Sequence, residues 1–137
     1  MNISSRCEYG CRAVIELASH ETSAEPMTAE AIASRRQIPE KFLVHILLQL
    51  KRAGIVRSVR GAKGGYMLNR AAEDVTLLDV VRAIDGPVLQ PLPVSEPGSE
   101  DLSLMWRELA AEIEGALKKV SIKDIIDRAR QSSMFYI

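Results

Sequence analysis

Residues Ile38 to Leu68, IPEKFLVHILLQLKRAGIVRSVRGAKGGYML, decide the fold. Leu43, Ile46, Leu47 and Leu50 recur at helical spacing, which makes them the buried row of a helix and leaves Lys41, Val44, His45, Gln49 and Arg52 on the opposite side. Pro39 suits the first helical position, where its missing amide would have no partner, so the spacing predicts a helix from Pro39 to Ala53. Gly54 ends it, because glycine takes the positive φ of a helix C-terminus at little cost. The period then changes from 3.6 to 2, with Ile55, Arg57 and Val59 on one face and Val56 and Ser58 on the other. After the turn Arg60 to Gly65, residues Tyr66, Met67 and Leu68 return as a second strand. A short helix, a longer helix and a basic hairpin in this order predict a winged helix-turn-helix.

Working outward, Thr28 is the expected cap of the preceding helix, Thr28 to Arg36, with Met27 placed to pack on Ile32. Before it, Ser5 and Glu8 have capping-box spacing, and Gly10, Ala13, Val14, Leu17 and Ala18 form an apolar stripe on a first helix ending near His20. Downstream, Thr76 and Asp79 form a second capping box for a helix that Gly86 and Pro87 end. Proline, glycine and acidic residues mark 87–101 as a loop. Beyond it Leu102, Trp106, Leu109, Ile113, Ala116 and Val120 alternate in fours and threes, a narrow heptad seam that asks for a partner helix. Ser121 and Asp124 cap a last short helix through Ala129. The expected architecture is mainly α: a winged helix-turn-helix over 1–86 with a small β-hairpin wing, a Pro-rich loop over 87–101, and a long C-terminal dimerisation helix with a final helix over 102–137.

The 137 residues, 47% of them hydrophobic, are enough for one core. The formal charge is zero, but it is unevenly placed. Residues 1–70 hold 11 basic and 6 acidic side chains, and residues 71–137 hold 7 and 12, balances of +5 and −5. Such a split draws polyanions to one end. Lys41, Arg57, Arg60 and Lys63 are placed to meet phosphate, with Ser58 beside them and the bare backbone at Gly61, Gly64 and Gly65 free to approach it. Base reading falls to the exposed row that Pro39 introduces, through Lys41, His45 and the apolar contact of Val44. A nucleotide phosphate loop is excluded, since these glycines lie between two strands and no Ser or Thr follows the lysine. No nucleophile with a base, acid pair or cofactor fingerprint occurs, so the chain is not expected to be an enzyme. No run of eighteen apolar residues exists and the N-terminus is polar, which predicts a cytoplasmic protein with no membrane partner. The two cysteines, Cys7 and Cys11, stand four apart on the first helix. Buried structural thiols are the expectation there, and a redox or metal pair using Glu8 as well stays open.

The runs ISSRCEYGCRAVIELA, VRGAKGGY within the central stretch, TLLDVVRAIDGP, and Trp106 followed by VSIKDII resemble the Rrf-two family of bacterial winged-helix transcription regulators, the IscR- and CymR-like proteins. That resemblance implies a homodimer joined through the long late helix and bound to double-stranded DNA at a palindromic operator, as a repressor or an activator. It places the Pro39–Ala53 helix in the major groove and Arg60 of the wing in the minor groove, and it admits a protein co-regulator as a further partner. Val44 and His45 depart from the family's usual pair, so operator preference does not carry over. Sensor members hold an iron–sulfur cluster with three cysteines between the fourth and fifth helices, some adding a residue near the position of Glu8. Residues 87–104 contain no cysteine, so the expected protein is a repressor without a cluster and with no cofactor. Two alternatives stand beside it: sensing through Cys7 and Cys11, and a winged helix that binds protein in place of DNA.

Overall fold

The computed structural model describes residues 2–89 and 97–135. Residues 90–96 of the expected 87–101 loop therefore lie outside the described residues. The fold is mainly helical with one antiparallel hairpin. In chain order it comprises α1 (Ser5–Ser19), α2 (Ala29–Arg36), α3 (Glu40–Arg52), β1 (Val56–Val59), β2 (Gly65–Leu68), α4 (Leu77–Asp85), α5 (Glu100–Lys118) and α6 (Ile122–Phe135).

The helix starts show which local signals hold. Thr28 caps α2 by accepting from the Ala31 amide, and Thr76 and Asp79 form the complete capping box of α4. Ser121 and Asp124 do the same at α6, and the Ser121 amide on the Asp124 carboxylate holds that carboxyl below its ordinary range. At α1 the expectation is off by one residue. Ser4, not Ser5, is the cap, accepting from the Cys7 amide at 3.0 Å while its own hydroxyl donates to Asp85 at 2.7 Å. The carboxylate of Asp85, on α4, selects between two adjacent serines. Pro39 is likewise the cap of α3 and not its first helical residue, with extended ψ of 126°.

The end of α3 explains a second departure. Gly54 has φ +77°, its amide donates to Lys51 and the Ile55 amide to Leu50, the double bond of a Schellman motif. Ile55 thus folds back on the last turn of α3 and is buried together with its neighbour Val56, so the strand starts at Val56, and with Arg57 and Ser58 both exposed the expected two-residue alternation is not seen. At the far end α6 runs to Phe135, beyond the expected stop at Ala129, since no glycine or proline follows Lys123. Helix α5 ends at Lys118, which leaves Val120 outside it. The Val120 carbonyl accepts from the Leu77 amide, and Ile122 donates to Val75, tying the α5–α6 joint to the start of α4.

One core joins these elements. Val14 of α1, Ile32 of α2, Leu43, Ile46, Leu47 and Leu50 of α3, Val80 of α4 and Ile122 of α6 are all fully buried in a single cluster. Gly10 brings α1 close to α4: an added Cβ would stand 3.1 Å from Ile84 Cγ1. Burying side chains of this size contributes roughly 2 kcal/mol each, so α3 is fixed by its whole inner row.

Candidate nucleic-acid interface

The turn between α2 and α3 sets the angle of α3. Gln37 adopts the left-handed conformation at φ 54°, and Ile38 next to it is buried at 4% exposure, pinning the turn to the core. With the row Leu43, Ile46, Leu47 and Leu50 facing inward, Lys41, Val44, His45, Leu48 and Arg52 are left facing out, Val44 at 59% and Leu48 at 44% exposure. Leu48 belongs to this row one turn after Val44. The sequence reading did not place it, since an exposed leucine and a buried one look alike by residue type.

The wing is held by more than its own ladder. β1 pairs with β2 in the register Val56 to Leu68, Arg57 to Met67, Ser58 to Tyr66 and Val59 to Gly65. Tyr66 also exchanges two backbone hydrogen bonds with Met27, at 2.7 and 3.0 Å, so the wing is fastened to the residue just before the α2 cap. Two glycines are required for this. A Cβ on Gly64 would lie 2.2 Å from the Val59 carbonyl oxygen, and one on Gly65 2.3 Å from that of Met27. Gly61 is different: its φ of +114° shapes the tip, where nothing crowds it.

The charge pattern separates structural cations from free ones. Arg36 bonds to the buried carboxylate of Glu16 at 2.9 Å, Arg35 lies 3.7 Å from it, and Arg70 pairs with Asp79 at 3.6 Å. These three basic residues, which contribute to the sequence count, serve the fold. Lys41, Lys51, Arg52, Arg57, Arg60 and Lys63 are all exposed and, among the described residues, make no ion pair. They lie along α3 and the wing. Ser58 is exposed on the wing beside Arg57, whose guanidinium donates to Met67 Sδ at 3.5 Å. Two groups at this surface were not legible in sequence. Arg6 of α1 donates to Gln49 of α3 at 2.6 Å, a contact across 43 residues, and Tyr9 stacks on Phe42 at 6.2 Å with Lys41 over the outer ring.

The seam on α5 is open in the single chain. Leu102, Met105, Trp106 and Leu109 are exposed at 56, 50, 45 and 40%, whereas Ile113 is half-buried and Ala116 exposed. The opposite side of α5 packs on α4, where Arg82 donates to Glu114 at 2.7 Å. Val120 lies off the helix and so leaves the seam.

Cys7 is buried and Cys11 half-buried, both free thiols. Glu8 points away to Arg12 at 3.3 Å. Among the described residues no three His, Cys, Asp or Glu side chains group as a metal site, and no helix is long and apolar enough to cross a membrane.

The family model Rrf2, described as an iron-dependent transcriptional regulator, matches residues 3–128. CymR of Bacillus subtilis, an HTH-type transcriptional regulator, is 30% identical over 139 aligned positions that cover 100% of both chains. An rrf2-like HTH-type regulator of Rhodobacter capsulatus is 45% identical over 93 residues, 66% of this chain and 61% of the relative. Among solved structures, IscR of T. potens superposes with a TM-score of 0.77 at 29% identity, covering 96% of this chain and 90% of that one. The matched family and both sequence relatives are transcription regulators, and the chain is a regulator and not an enzyme.

Proposed function

Because the chain belongs to the Rrf2 family of transcription regulators, we propose that it is a sequence-specific repressor that binds a palindromic operator as a homodimer, without an iron–sulfur cluster. The observation that carries this reading is the convergence of unpaired cations on α3 and the wing, while the other cations of the basic segment are bound into ion pairs. Helix α3 enters the major groove. Lys41 donates to guanine, His45 to a base acceptor, and Val44 and Leu48 offer apolar contact to thymine methyls. The wing lies along the backbone, with Arg60 and Lys63 at its tip and the amide of Gly61 near phosphate, while the Gly64 amide is taken by the Gly61 carbonyl at 3.0 Å. Two copies meet through Leu102, Met105, Trp106, Leu109 and Ile113, placing two reading helices on half-sites about one helical turn apart, near 34 Å. Repression follows if the bound dimer overlaps a promoter.

The family's iron does not fit this chain as a three-thiolate cluster. The sequence holds two cysteines in all, none of them between 87 and 104, and the described residues offer no three-ligand group. The test is a binding titration on genomic fragments selected by the full-length protein, repeated across salt. With Lys41, Arg57, Arg60 and Lys63 from each of two chains on phosphates, the log–log salt slope is about −7, a loss of roughly 10⁴-fold between about 50 and 200 mM. Absence of salt-sensitive DNA binding would overturn the reading.

A further inference from the structure

Between α1 and α6 runs a groove of about 460 Å³ whose lining includes no residue of α3 or the wing. Ile15 of α1 and Ile125 and Ile126 of α6 are half-buried in it, beside the exposed Ala129. Its charged members are Arg36, at the end of α2, and Arg130 of α6. We infer that this groove binds a small organic anion with an aliphatic body, of the medium-chain carboxylate class.

The body follows from shape and lining. The volume falls within the range of about 300–1,000 Å³ that holds small organic ligands. Half-buried isoleucines keep apolar surface in contact with water, and covering that surface is what draws an alkyl chain in. None of the lining residues is aromatic, so the groove offers branched aliphatic contact and no ring stacking. It follows α6 from Ile125 to Ser133, about 12 Å at the helical rise of about 1.5 Å per residue, which matches an extended chain of medium length.

The head group follows from the charges. Two guanidiniums line the groove and no carboxylate does. Arg36 donates through Nε to Glu16 Oε1 at 2.9 Å, which leaves the two terminal nitrogens of its guanidinium for another acceptor. Glu16 is shared, its other oxygen lying 2.7 Å from His20 and 3.7 Å from Arg35, so positive charge stays in excess around it. Arg130 is exposed and, among the described residues, makes no ion pair. A carboxylate can accept from both guanidiniums in charge-assisted hydrogen bonds. The hollow on the other side of α6 differs, because Glu21, Glu73 and Asp127 stand there beside Lys123 and Arg130. Arg36 is the last residue of α2 and Gln37 after it takes the left-handed turn, so an anion on Arg36 stands at the corner that sets the angle of α3.

The test titrates octanoate into the full-length chain by calorimetry, with octan-1-ol and acetate as separate arms for the body and the head. Octanoate should bind once per chain with a Kd below about 1 mM, and the alcohol and acetate about tenfold or more weakly, since each lacks one half of the recognition. Arg130→Gln and Ala129→Glu change exposed residues of α6, so both should melt like the parent. The first should lose about tenfold for octanoate, the effect of one charge-assisted hydrogen bond. The second should abolish binding by bringing a carboxylate into the groove. Absence of saturable binding, octan-1-ol as tight as octanoate, or either variant binding octanoate like the parent would overturn the site. Octanoate seated on the exposed apolar seam of α5 would show as the last of these. None of these readouts involves DNA, so the result is independent of the DNA-binding reading.

Discussion

Replacing Gly65 by alanine tests how the wing is held. The new Cβ would lie 2.3 Å from the Met27 oxygen, 2.5 Å from its carbonyl carbon and 3.0 Å from the Thr28 nitrogen, all of them backbone atoms. An ordinary carbon–oxygen approach is about 3.3–3.6 Å, so Tyr66 and Met27 must separate by roughly 1 Å. Their two mutual hydrogen bonds, 2.7 and 3.0 Å, then break at about 1 kcal/mol each. The φ of +149° adds about 1 kcal/mol for a residue with a side chain. The expected loss is about 3 kcal/mol, or roughly 10 °C in Tm for a domain of this size, read by urea and thermal denaturation. DNA affinity should fall as well, because Arg60 and Lys63 move with the hairpin. Gly115→Ala is the control: nothing lies within 4 Å of its Cβ, and on α5 alanine should add about 0.5–1 kcal/mol. Equal stability of Gly65→Ala and the parent, or an equal loss at Gly115→Ala, would refute the bridge as the wing's anchor.

Lys63→Ala removes one phosphate contact per chain, so the salt slope of DNA binding should become shallower by about 2 per dimer while sequence preference is kept; an unchanged slope would place Lys63 off the DNA. Trp106→Glu puts a charge on the exposed α5 seam, and sedimentation should show a monomer at micromolar concentration with the helical circular dichroism intact. Glu16→Gln takes the charge from a carboxylate at 7% exposure that serves Arg36 at 2.9 Å and His20 at 2.7 Å, and denaturation should show a loss of about 2 kcal/mol. Stability within experimental error of the parent would mean that the cluster contributes nothing net.

Legibility followed the range of each interaction. The caps at Thr28, Thr76 and Ser121 close within three residues, and the chain states them outright. Ser4 took the place of Ser5 because the deciding partner, Asp85, is 81 residues away. The α3 inner row was readable since its period is a property of the helix alone. Leu48 was not, because an exposed leucine and a buried one look alike until the neighbouring helices are in place. Val120 continued the heptad spacing in sequence, yet its carbonyl is taken by Leu77, and a periodicity does not reveal where a helix is made to stop.

By itself, the sequence determined the winged helix-turn-helix, the buried row of α3, the basic wing and the apolar seam, because each is encoded by local periodicity, turn chemistry and charge. Tertiary structure alone decided which cations are bound to Glu16 or Asp79 and which, among the described residues, stay unpaired, and it alone fastened Tyr66 to Met27. It also left Cys7 buried and Cys11 half-buried. The physical reason is common to all three. A side chain's charge and a backbone's donors are fixed by residue type, but their partners are fixed by which distant segments the core brings together.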